Sequence, residues 1–181
     1  LGSTEYYILI DATAFDDSAS NSYAGISSTT ALSFTTETTG PTVSSVSSDK
    51  AAGYYKAGEV IDIDVVFSEA VTVTGTPQIT LETGSTDQVV NYSSGSGTST
   101  LTFNYTVQAG DTASDLDYAS TSALALNSGT IVDTATSSNN AILTLPTKGG
   151  SGSLASNEAL VIDTTAPTAP TINSITTPNS D

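Results

Sequence analysis

Cysteine, histidine, tryptophan, arginine and methionine are all absent from this 181-residue chain. Without cysteine there is no disulfide and no thiolate metal site. Without histidine the commonest general base and the commonest imidazole ligand are missing, and a Ser/His/Asp triad is impossible. Without tryptophan the strongest platform for stacking sugars or cations is missing. Cationic side chains are scarce too: Lys50, Lys56 and Lys148 stand against 19 acids, for a formal net charge of −16. Neutralising phosphates takes clustered cations, so nucleic acid is excluded as a partner. An anionic membrane surface would repel the chain. No run approaches the roughly 18 apolar residues of a membrane span, so no membrane insertion is expected.

What the chain does have is Val, Ile, Leu and Ala in alternating runs, with Ser and Thr between them. That pattern suits half-buried strands and not helices. Strands are expected at 6–10, 32–35, 43–47, 60–67, 78–81, 88–92 and 100–107, with weaker ones at 123–126, 141–145 and 159–162. Residues 53–58, Gly-Tyr-Tyr-Lys-Ala-Gly, read as a turn. In the 60–67 strand Ile61, Ile63 and Val65 share one face, and Asp62 and Asp64 share the other. Short strands with Gly-rich turns at this spacing argue for an all-β sandwich.

The chain also repeats itself. Glu37-Thr38-Thr39-Gly40-Pro41-Thr42 matches Asp163-Thr164-Thr165-Ala166-Pro167-Thr168, and Pro41 and Pro167 stand 126 positions apart. At each joint a strand ends in an acid, two threonines, a small residue and a proline. Proline cannot donate to a ladder and holds its predecessor extended, so the joint is a short, stiff link and not a Gly/Ser tether. Three parts are therefore expected: 1–38 as the C-terminal part of a preceding unit, 39–165 as one complete unit, and 166–181 as the start of the next. A chain running from Leu1-Gly2-Ser3 to a polar end at Asp181 reads as a piece of a longer protein.

The acids cluster in loops. Asp111, Asp115 and Asp117 share one segment, Asp16, Asp17 and Asn21 a second, and Asp133, Asn139 and Asn140 a third. Glu69 ends a strand, and Glu37 and Asp163 stand at the joints. Loops rich in Asp and Asn can supply the six to eight oxygens that Ca²⁺ takes. The same residues are ordinary turn formers, and that reading stands beside the metal one. No EF-hand pattern and no Gly-Gly-x-Gly-x-Asp run occurs. Paired carboxylates can also hydrolyse glycosides, but these fall in turns and joints, so no enzyme is expected. Tyr54, Tyr55 and Tyr92 form either a small sugar-stacking patch or the ordinary cover of a sandwich end.

The series Gly58-Glu59-Val60-Ile61, Phe67-Ser68-Glu69-Ala70-Val71, Val73-Thr74-Gly75-Thr76-Pro77, Tyr92 to Thr98, Leu101 to Val107, Asp115-Leu116-Asp117-Tyr118 and Ile162 to Pro167 resembles the Ig-like extender repeats of giant bacterial surface adhesins, many of them RTX adhesins exported by type I secretion. The resemblance covers roughly residues 37–168. The piece before it resembles another bacterial Ig-like type in Ala24-Gly25-Ile26 and Phe34-Thr35-Thr36. It implies an Ig-like (cadherin-like) β-sandwich in tandem, preceded by a partial second unit, at the cell surface in biofilm-forming adhesion. It implies Ca²⁺ as the cofactor that stiffens the joints, with Glu37, Glu69, Asp111, Asp117 and Asp163 as ligands. Asp115, Asp16, Asn21 and Asp133 come from the acidic loops. The first joint departs from the second in carrying Glu37 and Gly40 for Asp163 and Ala166, which implies a looser joint. The expected partners are neighbouring repeats of the same chain, or other copies through strand exchange in an extracellular filament. A ligand-binding adhesin domain is a third expectation.

Overall fold

The computed structural model describes residues 3–37, 39–135 and 138–171. The strands in chain order are β1 (Ser3–Tyr7), β2 (Ser33–Glu37), β3 (Val43–Ser47), β4 (Gly53–Tyr55), β5 (Val60–Thr74), β6 (Gln78–Glu82), β7 (Gln88–Ser94) and β8 (Thr98–Thr106). Short strands follow at β9 (Thr112–Ala113), β10 (Asp117–Tyr118), β11 (Leu124–Ala125) and β12 (Thr130–Asp133). One helical turn, α1 (Leu154–Asn157), precedes β13 (Leu160–Asp163).

The architecture is an all-β sandwich. One sheet runs β10-β6-β7-β8-β5-β12, with β11 also on β6 and β3 also on β5; a second runs β4-β13-β9. The first sheet curls because its long strands change partners. In β7, Gln88 to Asn91 pair with β6, while Tyr92 and Ser94 pair with β8. In β5, Val60 to Val66 pair with β8, Asp64 to Phe67 also pair with β3, and Val71 to Thr74 pair with β12 after a register shift. At the β7–β8 turn Gly95 takes a φ of 110°, and a side chain there would collide with the Thr100 carbonyl oxygen.

The alternation written into the strands builds the core. Ile61, Ile63 and Val65 of β5 and Leu101, Phe103 and Tyr105 of β8 are buried, joined by Ile79 and Leu81 of β6 and by Leu160 and Ile162 of β13. Burying one such side chain stabilises by roughly 1.5–3 kcal/mol, so this layer outweighs any single polar contact in the fold. Every residue of the core lies between Val46 and Ile162. Residues 3–37 contribute none. They form a long irregular hairpin, with β1 and β2 antiparallel and further bridges at Ile10–Ile26 and Asp16–Ser22.

Two expected elements differ. Gly53–Tyr55 is a strand and not a turn, because it pairs in parallel with β13, a partner more than a hundred positions away. Residues 141–145 form no strand. Ile142 makes one isolated bridge, to Thr42, and Asn140 just before them makes another, to Val132, while Leu143 and Leu145 pack on the core. Pro146 follows at once and cannot extend a ladder.

Candidate functional site at the joints and on the flank of the sandwich

At the entry joint the chain is seated by its backbone. The Pro41 carbonyl accepts the Ile142 N–H at 2.7 Å, and the Thr42 carbonyl accepts the Ser68 N–H at 2.8 Å. The Ser68 hydroxyl in turn accepts the Thr42 N–H at 3.1 Å. Gly40 is buried against the main chain of Asn140, so closely that any Cβ would overlap the Asn140 carbonyl. Glycine is needed here for close approach. It gives a seated joint where the sequence comparison of Gly40 with Ala166 implied a looser one. The side chain of Glu37 lies outside the described residues, as does Thr38.

At the exit joint Thr164 does the equivalent work. Its hydroxyl donates to the Asp111 carbonyl at 2.9 Å and accepts the Gly110 N–H at 3.1 Å. The loop it meets is itself fixed. The buried Asp111 carboxylate accepts the Tyr105 hydroxyl at 2.6 Å, the Gln108 N–H at 2.8 Å and the Gln88 amide at 2.9 Å. Burial, then the hydrogen bond to Asp111 and its charge, hold the Tyr105 phenol above its ordinary pKa.

These two joints lie at separate levels of β5, the exit at its first residues and the entry near its middle. Entry is level with Ser68. Exit is level with Glu59 and Val60, since Val107 donates to the Glu59 carbonyl and the adjoining Gln108 to the Asp111 carboxylate. Eight residues of strand separate the two levels, which is about 26 Å.

The other expected ligands are spread around the molecule. The buried Asp117 accepts the Tyr118 N–H and the Gly149 N–H. Asp133 accepts the Asn139 N–H, the Asn139 amide and the Ala135 N–H. Burial alone would raise its pKa, but these donors hold it below the usual carboxylate range. Asp17 is kept low in the same way, first by the Asn21 side-chain amide and then by the Asn21 and Ala19 N–H groups. Asp16, beside it, is exposed in the bridge to Ser22. Asp115 and Asp163 are exposed, and Asp163 accepts the Thr165 N–H. Glu69 is half-buried at the bend of β5. In Asp16–Asn21 and Asp133–Asn139 the turn chemistry is what the structure displays.

A different set of acids does converge. Asp49, Asp62 and Asp64 each place one carboxylate oxygen within 4.8 Å of the others, the one such group of three among the described residues. Oxygens sharing one Ca²⁺ at about 2.4 Å stand at most about 4.8 Å apart, so the spacing suits a metal ion. Asp62 and Asp64 stand on the outer face of β5, across from Asn104 and Thr102. Asp49 is brought over by the β3–β4 loop, where its N–H donates to the Asp62 carboxylate at 2.7 Å. The Thr102 hydroxyl donates to Asp64 at 2.7 Å. Burial raises the Asp64 pKa, and the Asp62 and Asp49 charges add to it against that hydrogen bond. The cluster lies on the flank of the sandwich and not at a joint. Its signal in the sequence was two acids alternating on a strand, where acids are uncommon.

Tyr54, Tyr55 and Tyr92 make no flat platform. Neighbours on a strand, Tyr54 and Tyr55 face opposite ways. The Tyr55 hydroxyl donates to the Ala51 carbonyl, and the Tyr92 ring packs edge-on against Phe103. Tyr54 stands exposed.

Among the described residues no helix is long and apolar enough to cross a membrane. Comparison with protein-family models, with curated proteins and with solved structures finds no significant match.

Proposed function

We propose that this chain is a non-enzymatic spacer segment of a bacterial cell-surface adhesin, a stiff extracellular stalk unit that holds a binding module away from the cell. The observation that carries the reading is the separation of the two joints along β5. The chain enters by Ser68 and leaves by Gly110 and Asp111, about 26 Å away along β5. Units linked this way extend end to end. The resemblance to adhesin extender repeats and the 126-residue repeat point the same way.

Stiffness has two sources in this reading. Backbone hydrogen bonds and the close contact at Gly40 seat the entry, and Thr164 seats the exit. Ca²⁺ held by Asp49, Asp62 and Asp64 ties the β3–β4 loop to β5 and relieves the repulsion of three crowded carboxylates. Small-angle scattering of chains with one, two and three units tests the spacer. The maximum dimension should rise by a constant increment per unit. A dimension that levels off after the first unit contradicts it.

A further inference from the structure

Resting on the spacer reading, we propose that the apolar face of the 3–37 hairpin is the open half of a second sandwich, closed by strands that precede it in the same polypeptide. The hairpin has two chemically different faces. Tyr6 pairs with Phe34, and Ile8 donates to the Leu32 carbonyl at 2.9 Å, so these four side chains share one face. All four are about half exposed, from 44 % for Leu32 to 54 % for Phe34. Tyr6 and Phe34 stack with ring centroids 5.5 Å apart. The other face is mixed: Glu5, Ser33 and Thr35 stand beside Tyr7 and Leu9, which are each 53 % exposed. A two-stranded hairpin with one face wholly apolar is marginal alone in water and needs a packed partner.

The repeat says what that partner is. At the spacing of the joints, Phe34 corresponds to Leu160 and β2 to β13. In the complete unit Leu160 is fully buried. There β13 has an antiparallel neighbour, β9, on one edge and a parallel neighbour, β4, on the other. β1 fills the place of β9 against β2, as its antiparallel neighbour. The place of β4 is the one that a further strand takes, running parallel to β2. In the complete unit β4, β9 and nearly all the core strands come before β13 in sequence. By the repeat, the strands that close over Phe34 come before β2, in a segment of roughly 90 residues.

Charge argues against a second copy as the source. Residues 3–37 carry five acids and no lysine, so stacking two of these faces brings like charges together.

The test compares this chain with one extended about 90 residues upstream in the parent protein. In the extended chain, amide exchange at 32–37 should slow at least 100-fold, and the dye ANS should lose its binding site. Phe34→Asp should then lower or abolish one unfolding transition of the extended chain, while leaving the melting temperature of the 181-residue chain within about 1 °C. Unchanged exchange on extension, with Phe34→Asp silent in both chains, overturns the proposal. So does a dimer of the 181-residue chain whose hairpin amides are already protected, which assigns the face to a second copy. Neither result touches the joints of the complete unit, whose geometry is read separately.

Discussion

The Thr164 hydroxyl bridges the exit joint to the core-facing loop, donating to the Asp111 carbonyl at 2.9 Å while accepting from Gly110 at 3.1 Å. Thr164→Val keeps the shape and removes both bonds. It should cost about 1–2 kcal/mol and speed exchange of the Gly110 amide, read by denaturant unfolding and by hydrogen exchange. An unchanged Gly110 amide would show that the hydroxyl does not seat the joint.

Asp111 holds the loop beneath that joint. Replacing it by Ala leaves the Tyr105 hydroxyl, the Gln108 N–H and the Gln88 amide without their acceptor. The expected cost is about 3 kcal/mol, with Tyr105→Phe costing about half as much because only one bond goes. Equal costs would mean the network is not shared as drawn.

Gly40→Ala should destabilise by about 1–3 kcal/mol, since the methyl must displace the Asn140 main chain. Ala166→Gly at the second joint is the control: Ala166 is exposed, and the change should fall within about 0.5 kcal/mol.

Alkali should weaken the fold through its buried phenols. Burial, then the Asp117 charge, push Tyr118 up to about 12. Tyr105 is raised for the reasons given above. A phenol of raised pKa keeps its proton in the folded chain after the unfolded chain has lost it. Stability therefore falls as pH rises above about 10, the ordinary tyrosine value. Tyr55 is raised too, first by burial and then by the Glu59, Asp62 and Glu158 charges. Spectroscopic titration should find three of the eight tyrosines ionising late, and Tyr118→Phe should remove part of the alkaline loss.

Calcium should bind on the flank. With a dissociation constant in the 10⁻⁴–10⁻³ M range usual for extracellular modules, 10 mM Ca²⁺ should add about 1.4–2.7 kcal/mol. A double variant, Asp62→Asn with Asp64→Asn, should abolish that gain, whereas Asp115→Asn should keep it. Retention of the gain by the double variant would move the metal elsewhere.

Much of the fold was legible because alternation reports burial directly. Ile61, Ile63 and Val65, or Leu101, Phe103 and Tyr105, announce a half-buried strand before any partner is known. Gly53–Tyr55 was not legible. Three residues hold no period, and what makes them a strand is β13, supplied by the far end of the chain. Residues 141–145 read as a weaker strand but had no ladder to join. The acids misled for a related reason. Dense acidic loops suggest ligands, yet Asp17 and Asp133 spend their oxygens on N–H groups of their own turns. The converging acids were two on a strand face and one in a distant loop, a meeting only tertiary structure creates.

The central claim is that the unit is stiff, with its joints held well apart along β5. The chain has no native cysteine, so Thr42→Cys and Ala166→Cys can carry a pair of spin labels without interference. Both positions are exposed. Pulsed dipolar spectroscopy should return a single narrow distance distribution centred at about 25 Å or somewhat more, as eight residues of β5 between the joints require. A broad distribution, or one centred below about 15 Å, would contradict the account.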